Sequence, residues 1–67
     1  MSPMIKVHRL AMDGLEVKEV GVEDAERLIE EAYSRGNVVL DKETGNVIDY
    51  MAPDVREILV VEVLGGG

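Results

Sequence analysis

Few side chains of this sequence have the types and spacing that catalysis needs. His8 is the single histidine, and it stands beside Lys6 on the polar face of an alternating segment, where we expect a surface position without a partner. The acidic residues in the middle of the chain could act in acid–base chemistry or bind a divalent cation, but they fall on predicted turn, strand and helix positions that face solvent. Because the sequence has no cysteine, it has no thiolate ligand, thiol nucleophile or disulfide. We therefore predict no metal site.

The last three residues offer a different kind of reacting group. Gly65, Gly66 and Gly67 follow directly on an apolar segment that ends at Leu64. Glycine has no Cβ and adopts a wide range of φ and ψ, and three extended residues span roughly 10 Å. Such a tail can enter a narrow channel of another protein while the folded part docks outside. The simpler interpretation is a frayed chain end or a remnant of cloning, because chain ends are often small and disordered.

The composition limits the class of protein. The chain has 67 residues, 14 acidic and 7 basic side chains, and a net charge of −7. A chain of this length makes one small domain without a deep cleft, which argues against a self-sufficient enzyme. The negative charge opposes binding to nucleic acid and to anionic membranes. A membrane span needs about 20 consecutive apolar residues, and the sequence contains no such run. We therefore predict a cytoplasmic module, made for contact with other proteins.

The elements that must carry the tail begin with a hairpin. From Met4 to Ala11 the sequence starts as an alternation of apolar and polar residues, which is typical of a half-buried strand. Asp13 and Gly14 follow, a pair that favours a tight turn because both residues tolerate positive φ. Alternation then resumes over residues 15–20. Two alternating runs around Asp-Gly predict a β-hairpin.

The period next changes to that of a helix. Apolar residues recur on one helical face from Val22 to Tyr33. Glu23 and Asp24 fall in the first turn, where negative charge suits the helix dipole. Gly36 is well placed to end the helix in the left-handed conformation. The pattern predicts a helix over residues 22–35.

The second half of the chain predicts strands. Residues 37–40 form a short strand, 41–46 are a turn cluster, and 47–50 return as a further strand of a second hairpin. Residues 58–64 are apolar except for Glu62 and predict a strand covered on more than one side. The order is ββαβββ, an α+β protein. The apolar first and last strands should lie adjacent in the middle of a mixed sheet, with the helix packed across one face.

This element order resembles the β-grasp fold, and the chain resembles the ubiquitin-like sulfur-carrier proteins. These are the carrier of the thiamine-thiazole pathway and the small subunit of molybdopterin synthase. The specific likeness is the apolar strand from Ile58 to Leu64 followed directly by residues 65–67, with an acidic connector over 53–58 before it. The resemblance implies a single β-grasp domain over residues 1–64 and a flexible glycine tail over 65–67.

The resemblance also implies a function. In such proteins a separate activating enzyme uses ATP to adenylate the terminal glycine carboxylate, which becomes a thiocarboxylate or is transferred to a lysine or thiol. By this likeness the Gly67 carboxylate reacts, Gly66 and Gly65 are the flexible lead, and Leu64 is gripped by the partner. The chain would be a carrier without a bound cofactor, whose partners are an adenylating enzyme and a sulfur-acceptor enzyme. Thiazole synthesis, molybdopterin synthesis, tRNA thiolation and protein conjugation all stay open as pathways.

Two alternatives need no reacting tail. One is a β-grasp binding or regulatory module with an incidental glycine end. Ile48 and Tyr50, with Val38 or Val39, would then form a contact surface on the second hairpin. The other is an acidic, antitoxin-like protein that neutralises a basic partner. In each case the acidic surface favours a basic protein as the partner.

Overall fold

The computed structural model describes residues 3–63 as four strands and one helix. In chain order the elements are β1 (Met4–Ala11), β2 (Gly14–Gly21), α1 (Val22–Ser34), β3 (Val38–Asp41) and β4 (Glu57–Val61). No helix among these residues is long and apolar enough to cross a membrane.

The four strands form one mixed sheet in the order β2-β1-β4-β3. β1 is antiparallel to β2 and parallel to β4, and β4 is antiparallel to β3. The first and last strands are therefore neighbours in the middle of the sheet. This confirms the prediction of a mixed sheet built around the two most apolar strands.

The first hairpin forms with its turn one residue earlier than expected. Ala11 pairs with Gly14, so Met12 and Asp13 make the two-residue loop. Gly14 adopts φ +134°, and no residue other than glycine has positive φ in the described part of the chain. The Asp-Gly pair predicted positive φ at this turn, and of the two residues only Gly14 adopts it.

The helix ends where the sequence predicted. α1 stops at Ser34, Arg35 caps it, and Gly36 adopts φ +79°. The backbone N–H of Gly36 donates to the carbonyl of Tyr33 at 3.1 Å. A residue without Cβ adopts this torsion at no steric cost, which lets the chain turn back toward the sheet.

The hydrophobic core lies between the helix and one face of the sheet. Its fully buried members come from β1, α1, β3 and β4, and from the segment before β4. They are Ile5, Val7, Ala25, Ile29, Ala32, Val39, Val55, Ile58 and Val60. Burial of one of the larger side chains contributes about 1.5–3 kcal/mol relative to leaving it exposed. The helix is thus held across one face of the sheet, as predicted.

The predicted strand over 47–50 does not form. Val47 makes one isolated bridge to Leu40, and the N–H of Ile48 donates to the carbonyl of Val39 at 2.9 Å. The Ile48 carbonyl then accepts the hydroxyl of Tyr33 at 2.6 Å. This carbonyl is thus engaged by a helix residue where the chain leaves the edge of β3. The observed order is ββαββ rather than ββαβββ.

The last strand is also shorter than predicted. β4 begins at Glu57 and ends at Val61, whereas the sequence predicted residues 58–64. Glu62 and Val63 follow it outside the strand. Leu64 and the three terminal glycines lie outside the described residues, so their predicted roles stay predictions.

Candidate functional site

The chain leaves the sheet from its middle. β4 runs parallel to β1, with Val61 opposite Leu10, so its carboxyl end lies at the end of the sheet that carries the β1–β2 loop. The N–H of Glu62 donates to the carbonyl of Leu10 at 3.4 Å, which extends this pairing by one residue. The chain thus leaves the sheet from a strand that lies between β1 and β3, not from an edge strand.

Asn37 fixes the backbone at this exit. Its side chain is buried, and Oδ1 accepts the N–H of Val63 at 3.2 Å. Its own N–H donates to the carbonyl of Ala32 at 2.8 Å, which ties it to the last turn of the helix. Sequence reasoning did not select Asn37. The available signal was a polar residue at a strand start, directly after the glycine that ends the helix.

The surface next to the exit is acidic. Arg9 Nε lies 3.7 Å from Glu62 Oε1, and Arg9 is also paired across the hairpin with Glu16. These residues and Asp13 line a shallow depression of about 390 Å³ between the hairpin loop and the end of β4. One guanidinium faces three carboxylates here. The local charge therefore favours a partner that brings basic side chains.

The sheet face away from the helix carries apolar residues and is uncovered by the described residues. Strand alternation puts the core residues of each strand on the helix side and the residues between them on the other side. We call this other side the open face. Its apolar members are Met4, Leu10, Leu15, Val17, Val38, Leu40, Leu59 and Val61. Leu15 and Val17 are 61 % and 49 % exposed, whereas the apolar residues of β3 and β4 on this face are half-buried. Lys6 and Glu19 lie on the same face, so it is a mixed surface with an exposed apolar part on β2.

His8 lies in the middle of the open face, and its predicted surface position without a partner is wrong. Its residue exposure is only 9 %, because Val17 on β2 and Leu59 on β4 flank it across the sheet. His8 Nε2 lies 2.8 Å from Glu57 Oε2. The pairing joins residues 49 positions apart in the chain, which local alternation could not predict.

The His8–Glu57 pair has a defined electrostatic consequence. The hydrogen bond from His8 lowers the pKa of the Glu57 carboxyl below its ordinary value, and the charges of His8, Lys6 and Lys42 act in the same direction. Desolvation opposes them with a smaller effect. His8 Nδ1 is buried without a hydrogen-bond partner among the described residues.

The other predicted contact residues do not share one exposed surface. Ile48 is half-buried and packs against the core, whereas Tyr50 is 67 % exposed. Tyr50 lines a second depression with Glu26 and Glu30 of the helix. Val39, an alternative to Val38 in this surface, is fully buried. Partner binding by Ile48 and Tyr50 stays a prediction.

Within residues 3–63, no three His, Asp or Glu side chains are grouped so that they could hold a metal ion. No protein-family model, curated protein or solved structure matches this chain. Function is therefore inferred from the residues and the geometry of the open face and the β4 exit.

Proposed function

We propose that this chain is a ubiquitin-like sulfur-carrier protein, or a protein modifier with the same chemistry. Its reacting group is the carboxylate of Gly67, which a separate enzyme adenylates. The observation that carries the proposal is the path of β4, which leaves the centre of the sheet and leads within a few residues to Gly65-Gly66-Gly67. The proposal requires Gly67 to be the carboxy-terminal residue of the natural protein.

The architecture supports this proposal. A mixed sheet of order β2-β1-β4-β3, with parallel first and last strands and one helix across a face, is compatible with a β-grasp fold. In that arrangement the last strand is held on both sides by neighbours. The base of the proposed tail is thus anchored in the sheet.

The chemistry needs only a carboxylate from this chain. One carboxylate oxygen of Gly67 attacks the α-phosphorus of ATP, and pyrophosphate leaves to give an acyl-adenylate. Sulfide, or a sulfur nucleophile of the same oxidation level, then attacks the carbonyl carbon, and AMP leaves with the oxygen. The product is a thiocarboxylate, which passes its sulfur to an acceptor enzyme. ATP binding and the catalytic groups belong to the partner, so no bound cofactor is assigned to this chain.

Reach limits where the partner can bind. Four residues follow Val63 in the sequence, and their extended length is roughly 14 Å. The adenylation site must therefore lie within about that distance of the β4 exit. The open face and the acidic depression beside Glu62 both border this exit. We assign both as the surface on which the activating enzyme docks. The enzyme would make apolar contacts with the open face and place its basic side chains in the acidic depression.

Reconstitution with candidate adenylating enzymes of the same organism, ATP and sulfide tests the proposal. We expect an adenylate and a gain in intact mass equal to the replacement of one oxygen by sulfur. Deletion of Gly66 and Gly67 should abolish both products while the circular dichroism spectrum is unchanged. Ser34→Ala, on the helix side of the molecule, serves as the matched control and should react like the wild type. Wild-type chain that yields neither product contradicts the proposal.

A binding or regulatory module is the second candidate, and the open face favours it. That face fits a partner whether or not the tail reacts. The same deletion distinguishes the two functions. Unchanged partner binding and unchanged cellular function without Gly66 and Gly67 would identify the module, whereas loss of function with the fold intact would identify the carrier.

A further inference from the structure

The outer edge of β2 has backbone groups that face solvent. In β1 the N–H of Lys6 donates to Arg56 and the carbonyl of Leu10 accepts from Glu62, so the even-numbered residues of β1 direct their backbone toward β4. The odd-numbered residues of β1 therefore hydrogen-bond to β2, where Glu16 and Lys18 lie opposite them. The N–H and C=O groups of the residues between, 15, 17 and 19, point outward.

This edge lacks several of the features that protect sheet margins. β2 is eight residues long, and its register with β1 runs without a bulge from Gly14 to Gly21. It contains no proline, and residues 14–19 are exposed on both faces. Long, regular, exposed edges readily accept another strand. The protective residues of this edge are the charged Glu16, Lys18 and Glu19, and the effect of each depends on the residue that lies opposite it.

The charges of β2 are self-complementary about Val17. In an antiparallel pair of two β2 strands centred on Val17, Glu16 of each copy lies opposite Lys18 of the other. The outward backbone groups of Val17 face each other, and Leu15 lies opposite Glu19 with matching hydrogen-bonding groups. Registers centred on Glu16, Lys18 or Glu19 instead place identical charges at the two-fold axis. The register centred on Val17 avoids that repulsion, and it is the register that places opposite charges beside each other on both sides of the axis.

We propose that β2 pairs antiparallel with β2 of a second copy of this chain, in the register centred on Val17. The dimer has a continuous sheet with four strands from each copy. The open faces join across the two-fold axis, where Val17 of one copy lies beside Val17 of the other and Leu15 lies opposite Glu19. β4 lies inside the sheet, so this pairing leaves the exit toward Gly67 free. The inference is independent of the proposed function.

Sedimentation velocity of the full chain over a range of concentrations tests this proposal. The wild type should form a dimer, and Lys18→Glu or Glu16→Lys alone should weaken it at least about tenfold, because two attractive pairs become repulsive. An equimolar mixture of the two single variants should restore the dimer, since each lysine strand then faces a glutamate strand. The double variant Glu16→Lys/Lys18→Glu should dimerise like the wild type.

A backbone variant tests the edge itself. Val17→Pro removes an outward N–H that no residue of the same sheet uses, so it should abolish the dimer. Val17→Thr keeps that N–H and is the matched control, and thermal melting of both variants checks that the fold is retained. A wild type that stays monomeric at every concentration overturns the proposal. Pairing of β2 with a strand of another protein would not rescue it. A dimer indifferent to the charge reversals overturns it equally.

Discussion

At the scale of single residues, the His8–Glu57 pair is the clearest departure from what alternation predicts. Alternation correctly puts His8 on the face opposite the core. On that face, however, Val17 and Leu59 of the neighbouring strands flank His8 and shield it from solvent. The pair is a charge-assisted hydrogen bond when Glu57 is ionised, and such bonds are stronger than neutral ones. The open face thus has a polar pair among its apolar residues, with the exposed charged side chains of Lys6 and Glu19 beside it.

The pair predicts how stability depends on pH. Because the folded state lowers the pKa of Glu57, its ionised form contributes stability above the pKa of the unfolded chain, and this contribution is lost as pH falls through the lowered value. Glu57→Gln should therefore reduce the free energy of unfolding more at neutral pH than in acid. Urea denaturation of both proteins across this range measures the difference. A difference that is constant with pH contradicts the assignment.

Asn37 predicts a local effect at the β4 exit. Asn37→Ala leaves the Val63 N–H without its acceptor and should lower the free energy of unfolding by about 1 kcal/mol. Amide hydrogen exchange at Val63 should accelerate in the same variant. Asn37→Asp retains Oδ1 and is the matched control for exchange. Equal protection of Val63 in the alanine variant and the wild type would show that the hydrogen bond does not hold the exit.

At the scale of elements, the local patterns predicted the hairpin, the helix and its end at Gly36. The pairing of β1 with β4 was also predictable, because their apolar content requires the middle of the sheet. The segment 47–50 was not predictable: it has strand-like residues, but the Tyr33 hydroxyl takes the Ile48 carbonyl after one bridge. The contact of Glu57 with His8 depends on the parallel register, which no local pattern encodes.

Gly36 and Gly21 predict unequal responses to alanine at the two ends of the helix. A Cβ at either position meets no atom within 4 Å, so steric contact does not distinguish them. Gly36 has φ +79°, and Gly36→Ala should cost about 1 kcal/mol. Gly21, the N-cap residue, has φ −71°, so Gly21→Ala adds no torsional strain and should have a smaller cost, the loss of the N-cap preference for glycine over alanine. Thermal melting of the two variants makes the comparison, and equal loss of stability in both would contradict it.

At the scale of the whole molecule, the helix carries a cluster of negative charge on the side away from the open face. The exposed carboxylates of α1 are Glu23, Asp24, Glu26, Glu30 and Glu31. The open face carries the exposed apolar residues of the first hairpin strands, among them Leu15 and Val17. Long-range attraction to a basic partner and short-range apolar docking are thus assigned to different surfaces. The β4 exit lies between the strands that form the open face, so the proposed docking on that face would bring a partner close to the exit.

Mass spectrometry of the carboxy-terminal peptide, isolated from the natural cells, tests the carrier function most directly. We expect a peptide that ends at Gly67, with a fraction in which sulfur replaces one oxygen of the terminal carboxylate. Fragment ions should place that sulfur on Gly67 and on no earlier residue. A peptide whose terminal carboxylate is never modified, or a chain that continues past Gly67, would contradict the proposed function.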